Sequence, residues 1–435
     1  MEFCSALWGL PFLGIILSVS LFPLLCHNFW NKYAGRVILF WSSLYLFFVA
    51  YLFGFFQFFL AVFEPIVTDY IPFIILISTL YILSGGIFID FPKGYGPYFN
   101  VIFLFCGSII AGFIGTTGAT TLLIRPFLRS NSQRKYKTHL TVFFIFLIAN
   151  IGGVTTPLGD PPLFIGFLKG IDFFWFIKNL YPFLLNTAFI LCALFFAIDF
   201  TLFKFETTPT ETINGSTFVI RGVKNLFLMA LVLLIVVFCN FKSCILLSGH
   251  EFSVSSILRN SLLILISLIS LKTTPPEIRH ANCFSFASVK EVAELFAGIF
   301  ITVTPIIHIL RQGMNGAFKC IFEWIAPNGE FIAKKCFWAS GLLSSVLDNA
   351  PTFLIFFHLA GGDASILMTN KSHILTAFSI STVFMGALTY IGNAPNLMAK
   401  SISDDYGVKV PSFLGYLIWS FSILLPVFTI ISWSL

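Results

Sequence analysis

Two aspartates in apolar surroundings are the residues best placed to do chemistry. Asp160 stands in NIGGVTTPLGDPPLF, which runs straight on from the phenylalanine-rich TVFFIFLIA, and Asp348 stands in VLDNAPTF. Three glycines and three prolines around Asp160 break what would otherwise be an apolar helix. Gly and Pro free backbone amides and carbonyls from the helical ladder, and in lipid these groups must be satisfied by protein, water or a bound ion. A break of this kind therefore belongs in a cavity. Asp160, with Asn150, Thr155 and Thr156 nearby in sequence, offers the oxygen ligands that Na+ or a proton would take, since intramembrane carboxylates usually serve function. The bland alternative is a kinked packing helix whose aspartate caps a half-helix. Asp348, followed by Asn349, can be read the same two ways, as a cation ligand or as an N-cap.

Composition sets the frame for these motifs. With 57% hydrophobic and 10% charged residues, the chain lies far from a soluble domain. Apolar runs long enough to cross a bilayer recur throughout, so an all-α polytopic membrane protein is predicted, one transporter domain over 1–435. Plain spans are expected near 5–26, 36–60, 71–90, 181–200, 222–241, 256–271, 290–312 and 412–434. Interrupted stretches are expected at 98–128 and 336–360, and broken runs at 139–168 and 373–400, about 10 spans plus 2 hairpins. The first run lacks a basic n-region and a small-residue cleavage site and reads as a retained span. The net charge of +6 is spread over loops, giving no case for nucleic acid. The nine cysteines are scattered, so neither structural disulfides nor zinc is expected. Arg125, Arg129, Arg134, Lys135 and Lys137 form the densest basic cluster and should face the cytoplasm, with Glu64 and Asp69 outside.

The two halves of the chain resemble each other. GVTTPLGDPPLF from Gly153 aligns with GALTYIGNAPNL from Gly386, placing Thr156 over Thr389, Gly159 over Gly392 and Asp160 over Asn393, an offset of 233. TTGATTLLI from Thr116 aligns with DNAPTFLI from Asp348 at an offset of 232, Thr120 over Thr352. Two motifs at nearly one offset indicate an internal duplication, about 36–200 and 256–434. Five crossings separate the interrupted stretches. An odd number puts them on opposite faces, so the repeats are predicted to be inverted, each with a re-entrant hairpin and a broken transmembrane helix. That is the architecture of an alternating-access carrier.

IANIGGVTTPLGDPPLFIGFLKGIDFFW and GTTGATTLLIRPFLRSN resemble the bacterial sodium:proton antiporters of the NhaD-like and citrate-transporter-like group within the ion transporter superfamily. The resemblance covers most of the chain and is densest at 112–178 and 341–398. It implies a secondary transporter of the inner cell membrane, with Na+ and H+ as coupling or transported ions and no cofactor; carriers of this architecture are often homodimers. It further implies one site joining Thr116, Thr117 and Gly118 to Asn150, Thr155, Thr156 and Asp160. A second would join Asp348, Asn349 and Thr352 to Thr389, Gly392, Asn393 and Asn396, with Na+ at Asp160 and at Asp348. At the first tip, Thr-Thr-Gly stands where the NhaD pattern has an Asp-Asn pair.

Two chemistries fit this frame. One carboxylate per site, raised by burial toward the range where H+ and Na+ compete, favours Na+/H+ antiport. The alternative is a Na+- or H+-coupled citrate or dicarboxylate carrier, whose anion an aspartate would repel unless cations neutralised it. Paired intramembrane aspartates also suggest an aspartyl protease, but the Tyr-Asp and Gly-x-Gly-Asp segments it would need are absent. The duplication favours a carrier over that enzyme and over a channel. His308, beside Pro305, is either a proton relay or a packed histidine bonded to a freed carbonyl. Arg125 reads as a snorkelling anchor, and Asp90 and Asp199 as interfacial residues.

Overall fold

A computed structural model describes residues 5–92, 96–206, 218–239, 241, 244–247, 250–312, 316 and 319–435. The chain opens with α1 (Leu10–Leu25), α2 (His27–Phe53), α3 (Phe55–Pro65) and α4 (Ile71–Gly85). The span expected at 36–60 is corrected here. It ends at Phe53, where Gly54 takes φ +86°, a left-handed conformation open to glycine at little cost. Phe55–Gly85 then runs as one apolar stretch of 31 residues, carried past Pro65 by a π-turn at Ile66–Tyr70. Glu64 and Asp69, expected in a loop, therefore lie on helical turns.

Next come α5 (Pro97–Ile114) and α6 (Thr116–Ser130), meeting at Gly115. The broken run follows as α7 (Thr138–Leu147), a 3-10 turn at Ile151–Val154 and α8 (Pro161–Leu168), and then α9 (Phe173–Lys204). The middle of the chain holds α10 (Val223–Phe238), α11 (Val254–Thr273), α12 (Pro276–Ala281), α13 (Ala287–Thr302), α14 (Thr304–Arg311) and α15 (Lys319–Ile325). The run at 290–312, expected to be plain, bends by 44° between α13 and α14, next to Pro305. The second interrupted stretch is α16 (Ala333–Ser344) and α17 (Asn349–Leu359), followed by α18 (Ala364–Met368). The second broken run is α19 (Ser372–Phe384), a 3-10 turn at Met385–Leu388 and α20 (Ala394–Asp405), and α21 (Phe413–Trp433) closes the chain.

Among the described residues, six helices are long and apolar enough to cross a membrane, seven with the bent pair, and shorter apolar helices lie between them. The protein is thus a multi-pass, mostly helical membrane protein. Two short strand pairs depart from the all-α expectation: β1 (Phe88–Asp90) with β2 (Val219–Arg221), and β3 (Cys244–Leu247) with β4 (His250–Ser253). Both join loop segments, where the ladder satisfies backbone groups that no helix covers.

The two broken runs occupy the centre. From His139 onward every residue of α7 is buried, Phe143, Phe144 and Phe146 completely, as suits a helix packed on all sides. Glycines let neighbouring backbones approach this centre. A Cβ on Gly152 would lie 2.3 Å from the Ser108 carbonyl of α5, and one on Gly341 of α16 would lie 2.2 Å from Met385 Sδ.

Polar contacts gather the loops at two ends of the bundle. At one end Arg129 pairs with Asp90 (2.9 Å), Arg134 with Asp199 and Glu206 (both 2.7 Å), and Thr138 Oγ1 donates to the Lys409 carbonyl (2.9 Å). At the other, Lys169 pairs with Asp69 (2.8 Å), Trp175 Nε1 donates to the Met368 carbonyl (3.3 Å), and Lys371 Nζ donates to the Ala360 carbonyl (2.9 Å). Asp199 is fully buried by these contacts, His139 Nε2 lying 2.9 Å from it and Asn100 Nδ2 donating at 2.9 Å. It is the centre of a buried ion-pair set near the end of α9, the helix end where the sequence placed an interfacial residue.

Candidate functional site

Asp160 lies at the N-terminus of α8, its position fixed by the break that precedes Pro161 and Pro162. Proline fits the first turn of a helix because its missing N–H would have no intrahelical partner there. The carboxylate is 2% exposed and gathers donors from three other segments. Thr116 Oγ1, at the start of α6, donates to Oδ1 at 2.6 Å, and Asn349 Nδ2, at the start of α17, donates to Oδ2 at 2.7 Å. Asn393 Nδ2, just before α20, lies 3.3 Å from Oδ1.

The network continues through amides. Asn393 Nδ2 is also 3.3 Å from Asn150 Oδ1, and Asn150 Nδ2 donates to Asn396 Oδ1 at 2.7 Å and to the Ile145 carbonyl at 2.8 Å. Asn396 Nδ2 in turn caps carbonyls freed by the second break, those of Gly386 (2.8 Å) and Thr389 (2.9 Å). The two sites expected from sequence are therefore one hydrogen-bonded cluster. Thr116, Asn150 and Asp160 from the first half join Asn349, Asn393 and Asn396 from the second, because the two buried breaks pack face to face.

The remaining candidates take supporting places. Thr156 Oγ1 donates to the Gly112 carbonyl in a short hydrogen bond and accepts from Leu158 N (3.1 Å), while Thr389 Oγ1 donates to the Ser345 carbonyl (2.6 Å) and accepts from Gly392 N (3.0 Å). Gly392 packs so closely that a Cβ there would lie 2.6 Å from the Gly386 carbonyl. Thr352 Oγ1 turns back onto the Asp348 carbonyl (3.2 Å). Asp348, half-buried, accepts from Ala350 N at 3.3 Å and so takes the capping position. The Thr155 hydroxyl is buried with no hydrogen-bond partner. Thr117 and Gly118 lie at the tip of α6, where a Cβ on Gly118 would meet Ser84 Oγ of α4 at 2.5 Å. His308 is exposed on α14, outside the cluster.

The offset of 232 for the hairpins is also corrected. Helices α6 and α17 begin at Thr116 and Asn349, capped at Gly115 and Asp348, and the Thr156–Gly112 and Thr389–Ser345 bonds each span 44 residues. One offset of 233 fits all of these pairs. The helix starts and these threonine-to-carbonyl bonds set the register, whereas the threonine–leucine pattern in the sequence is shifted by one.

Two residues that sequence reading passed over also build the cluster. Ser344 Oγ lies 2.8 Å from Asn349 Oδ1 and thereby aims the amide nitrogen at Asp160. Gly386 has no room for a side chain, since a Cβ would fall 2.4 Å from Asn349 Oδ1 and 3.0 Å from Asn150 Oδ1. The signal for Gly386 was its place opposite Gly153; nothing local marks Ser344. Beside the cluster lies a small cavity of about 30 Å³, lined by Thr116, Thr117, Asp160 and Phe164 and closed on the α4 side by Phe73 and Leu80.

Four half-helices, α6, α8, α17 and α20, begin at this cluster. Each turns the positive end of its dipole toward the same place, an arrangement suited to negative charge, although several of the first-turn N–H groups are absent at prolines or already bonded, Thr116 N to the Gly159 carbonyl and Ala350 N to Asp348 among them. The whole chain, residues 1–435, matches the family model described as Putative citrate transport (CitMHS_2). The chain belongs to this family. Membership makes it a transporter and not an enzyme, and it supports the citrate-transporter side of the resemblance read from the sequence. No curated protein matches the chain.

Proposed function

We propose that this protein is a secondary active carrier of di- or tricarboxylates of the citrate class, coupled to Na+ or H+. The observation that carries this reading is the convergence of four helix N-termini, with Thr116, Asn349, Asn393 and Asn396, on one buried place. Amides, hydroxyls and helix dipoles bind carboxylate oxygens without a fixed counter-charge. Asp160 then serves as the ligand of the coupling cation, whose charge offsets the aspartate and lets the anion approach. The buried, unpartnered Thr155 hydroxyl, next in sequence to Thr156, is a further oxygen for that cation. The family description points to the same substrate class, which moves the balance away from plain Na+/H+ antiport.

Antiport remains the second reading, favoured by one observation: Asp160 is the cluster's one carboxylate, and every donor around it is neutral. Such a group can exchange a proton for Na+ without an organic substrate. Uptake into vesicles of purified protein separates the two. Labelled citrate accumulating under an imposed Na+ or pH gradient is expected; a sodium-driven pH change without citrate uptake would instead establish antiport.

The repeats are proposed to be inverted, with re-entrant hairpins at α5–α6 and α16–α17. Supporting this, contacts of 129–138 fall at one end of the bundle and contacts of 360–371 at the other. Single cysteines placed in 129–137 and in 361–372 should be labelled from opposite sides; labelling of both from one side would refute inversion.

A further inference from the structure

Arg259 on α11 carries a charge that no acidic side chain among the described residues compensates. The residue is 4% exposed and lies within a membrane-length helix. Among the described residues its one hydrogen bond runs from Nη2 to Ser256 Oγ on its own helix (3.2 Å), and Nε is buried without a partner there. Arg134, by contrast, is paired with Asp199 and Glu206, while half-buried Arg279, whose Nε is likewise without a partner, donates to the Ile82 carbonyl and to Ser270 from its other nitrogens. What faces Arg259 is aromatic. Its guanidinium carbon lies 5.6 Å from the ring centre of Phe167 and 6.0 Å from that of Phe164. Ring faces attract a cation weakly, and they do not replace the hydration that a guanidinium loses on burial.

Phe164 connects this cation to the site. It stands one turn into α8, the helix that begins after Asp160, and its side chain lines the cavity that Asp160 and Thr116 also line. One phenylalanine ring thus separates an unpaired guanidinium from the proposed substrate cavity. A planar guanidinium with free N–H donors matches a carboxylate in two-point geometry.

We propose that Arg259 receives one carboxylate of the carried di- or tricarboxylate, with Phe164 turning aside to admit it, while another carboxylate of the same molecule sits at the helix N-termini around Asn349 and Asn393. The inference rests on the carboxylate-carrier reading and adds to it a selectivity for anions bearing at least two carboxylates. A monocarboxylate would fill only the helix-terminus end.

The test compares wild type, R259Q and R259K in proteoliposomes with labelled citrate, together with melting of the detergent-solubilised proteins with and without citrate. Expected are a KM for citrate at least tenfold higher in R259Q with Vmax within about twofold, and an intermediate KM in R259K, which keeps the charge without the planar fork. Citrate should raise the melting temperature of wild type but not of R259Q, and ligand-free R259Q should melt no lower than wild type. Unchanged KM and an unchanged citrate-induced melting shift in R259Q would overturn the inference. So would an R259Q that fails to fold while R259K folds with the wild-type KM, because the cation would then be structural. Absence of citrate uptake and of any citrate-induced shift in wild type would instead refute the carboxylate-carrier reading.

Discussion

The two breaks at the centre of this protein share a backbone and differ in chemistry. In the first half Thr156 ties its break to the Gly112 carbonyl, and in the second Thr389 ties its break to the Ser345 carbonyl, over the same 44 residues. At matching positions the first half has Asp160 where the second has Asn393, and the second has Asp348 where the first has Gly115. Each half therefore supplies one carboxylate, from a different element. Asp160 is enclosed by donors from three other segments, whereas Asp348 caps its own helix. The lesson is that the scaffold of such a site can be duplicated while its charge is placed once, in the half where neutral donors converge on it.

Asp160→Asn breaks this asymmetry most directly, since it makes the first half match the second. The amide keeps size and much of the hydrogen bonding, so the variant should fold. Transport should be lost, because a charge-assisted contact worth roughly 1.5 to 3 kcal/mol disappears together with the group that balances a cation. Unchanged sodium and pH dependence of uptake in the folded variant would make Asp160 structural. Exchanging the pair, Asp160→Asn with Asn393→Asp, sharpens the point. If the cluster is one site, the exchanged carboxylate, which would sit among the same side chains, should recover measurable uptake. Two independent sites would leave the double variant as inactive as Asp160→Asn.

A second asymmetry lies at the loop ends. The first half holds its end with the buried set of Arg134, Asp199, Glu206 and His139, whereas the positions 233 residues on from Arg134, His139 and Asp199 are Leu367, Ser372 and Ser432. Arg134→Leu would leave Asp199 without its nearest partner, 2.7 Å away, in a site of no exposure. Removing one member of a buried pair costs about 3 to 5 kcal/mol, so a clear fall in melting temperature is expected. Equal losses from Arg134→Leu and Arg134→Lys would show that the planar geometry, and not the charge alone, holds this end.

Asp348→Asn should have the smallest effect. Asparagine caps a helix nearly as well as aspartate, so stability should change by only a few tenths of a kcal/mol, and Asp348→Ala by about 1 kcal/mol. Transport in Asp348→Asn should fall much less than in Asp160→Asn. Equal loss in both would restore the second carboxylate to a place in the cation site and erase the difference between the halves.

Sequence alone determined the class of the molecule and most of its site. Apolar length announced the membrane spans, the glycines and prolines announced the breaks, and the Gly153 and Gly386 motifs announced that the breaks come as a pair. These are local properties: backbone satisfaction and burial cost act on each segment by itself. Tertiary structure decided what depends on contact between segments. It merged two expected sites into one, because Asn349 and Asn393 reach Asp160 across 189 and 233 residues of chain. It turned Asp199 from a helix-end charge into the centre of a buried ion-pair set, and it left His308 on the surface. It carried the helix through Glu64 and Asp69, where charge alone suggested a loop, since Asp69 finds Lys169 beyond the far end of α8. The direction in which a side chain points and the partner it meets follow from how helices cross, and no single segment encodes that crossing.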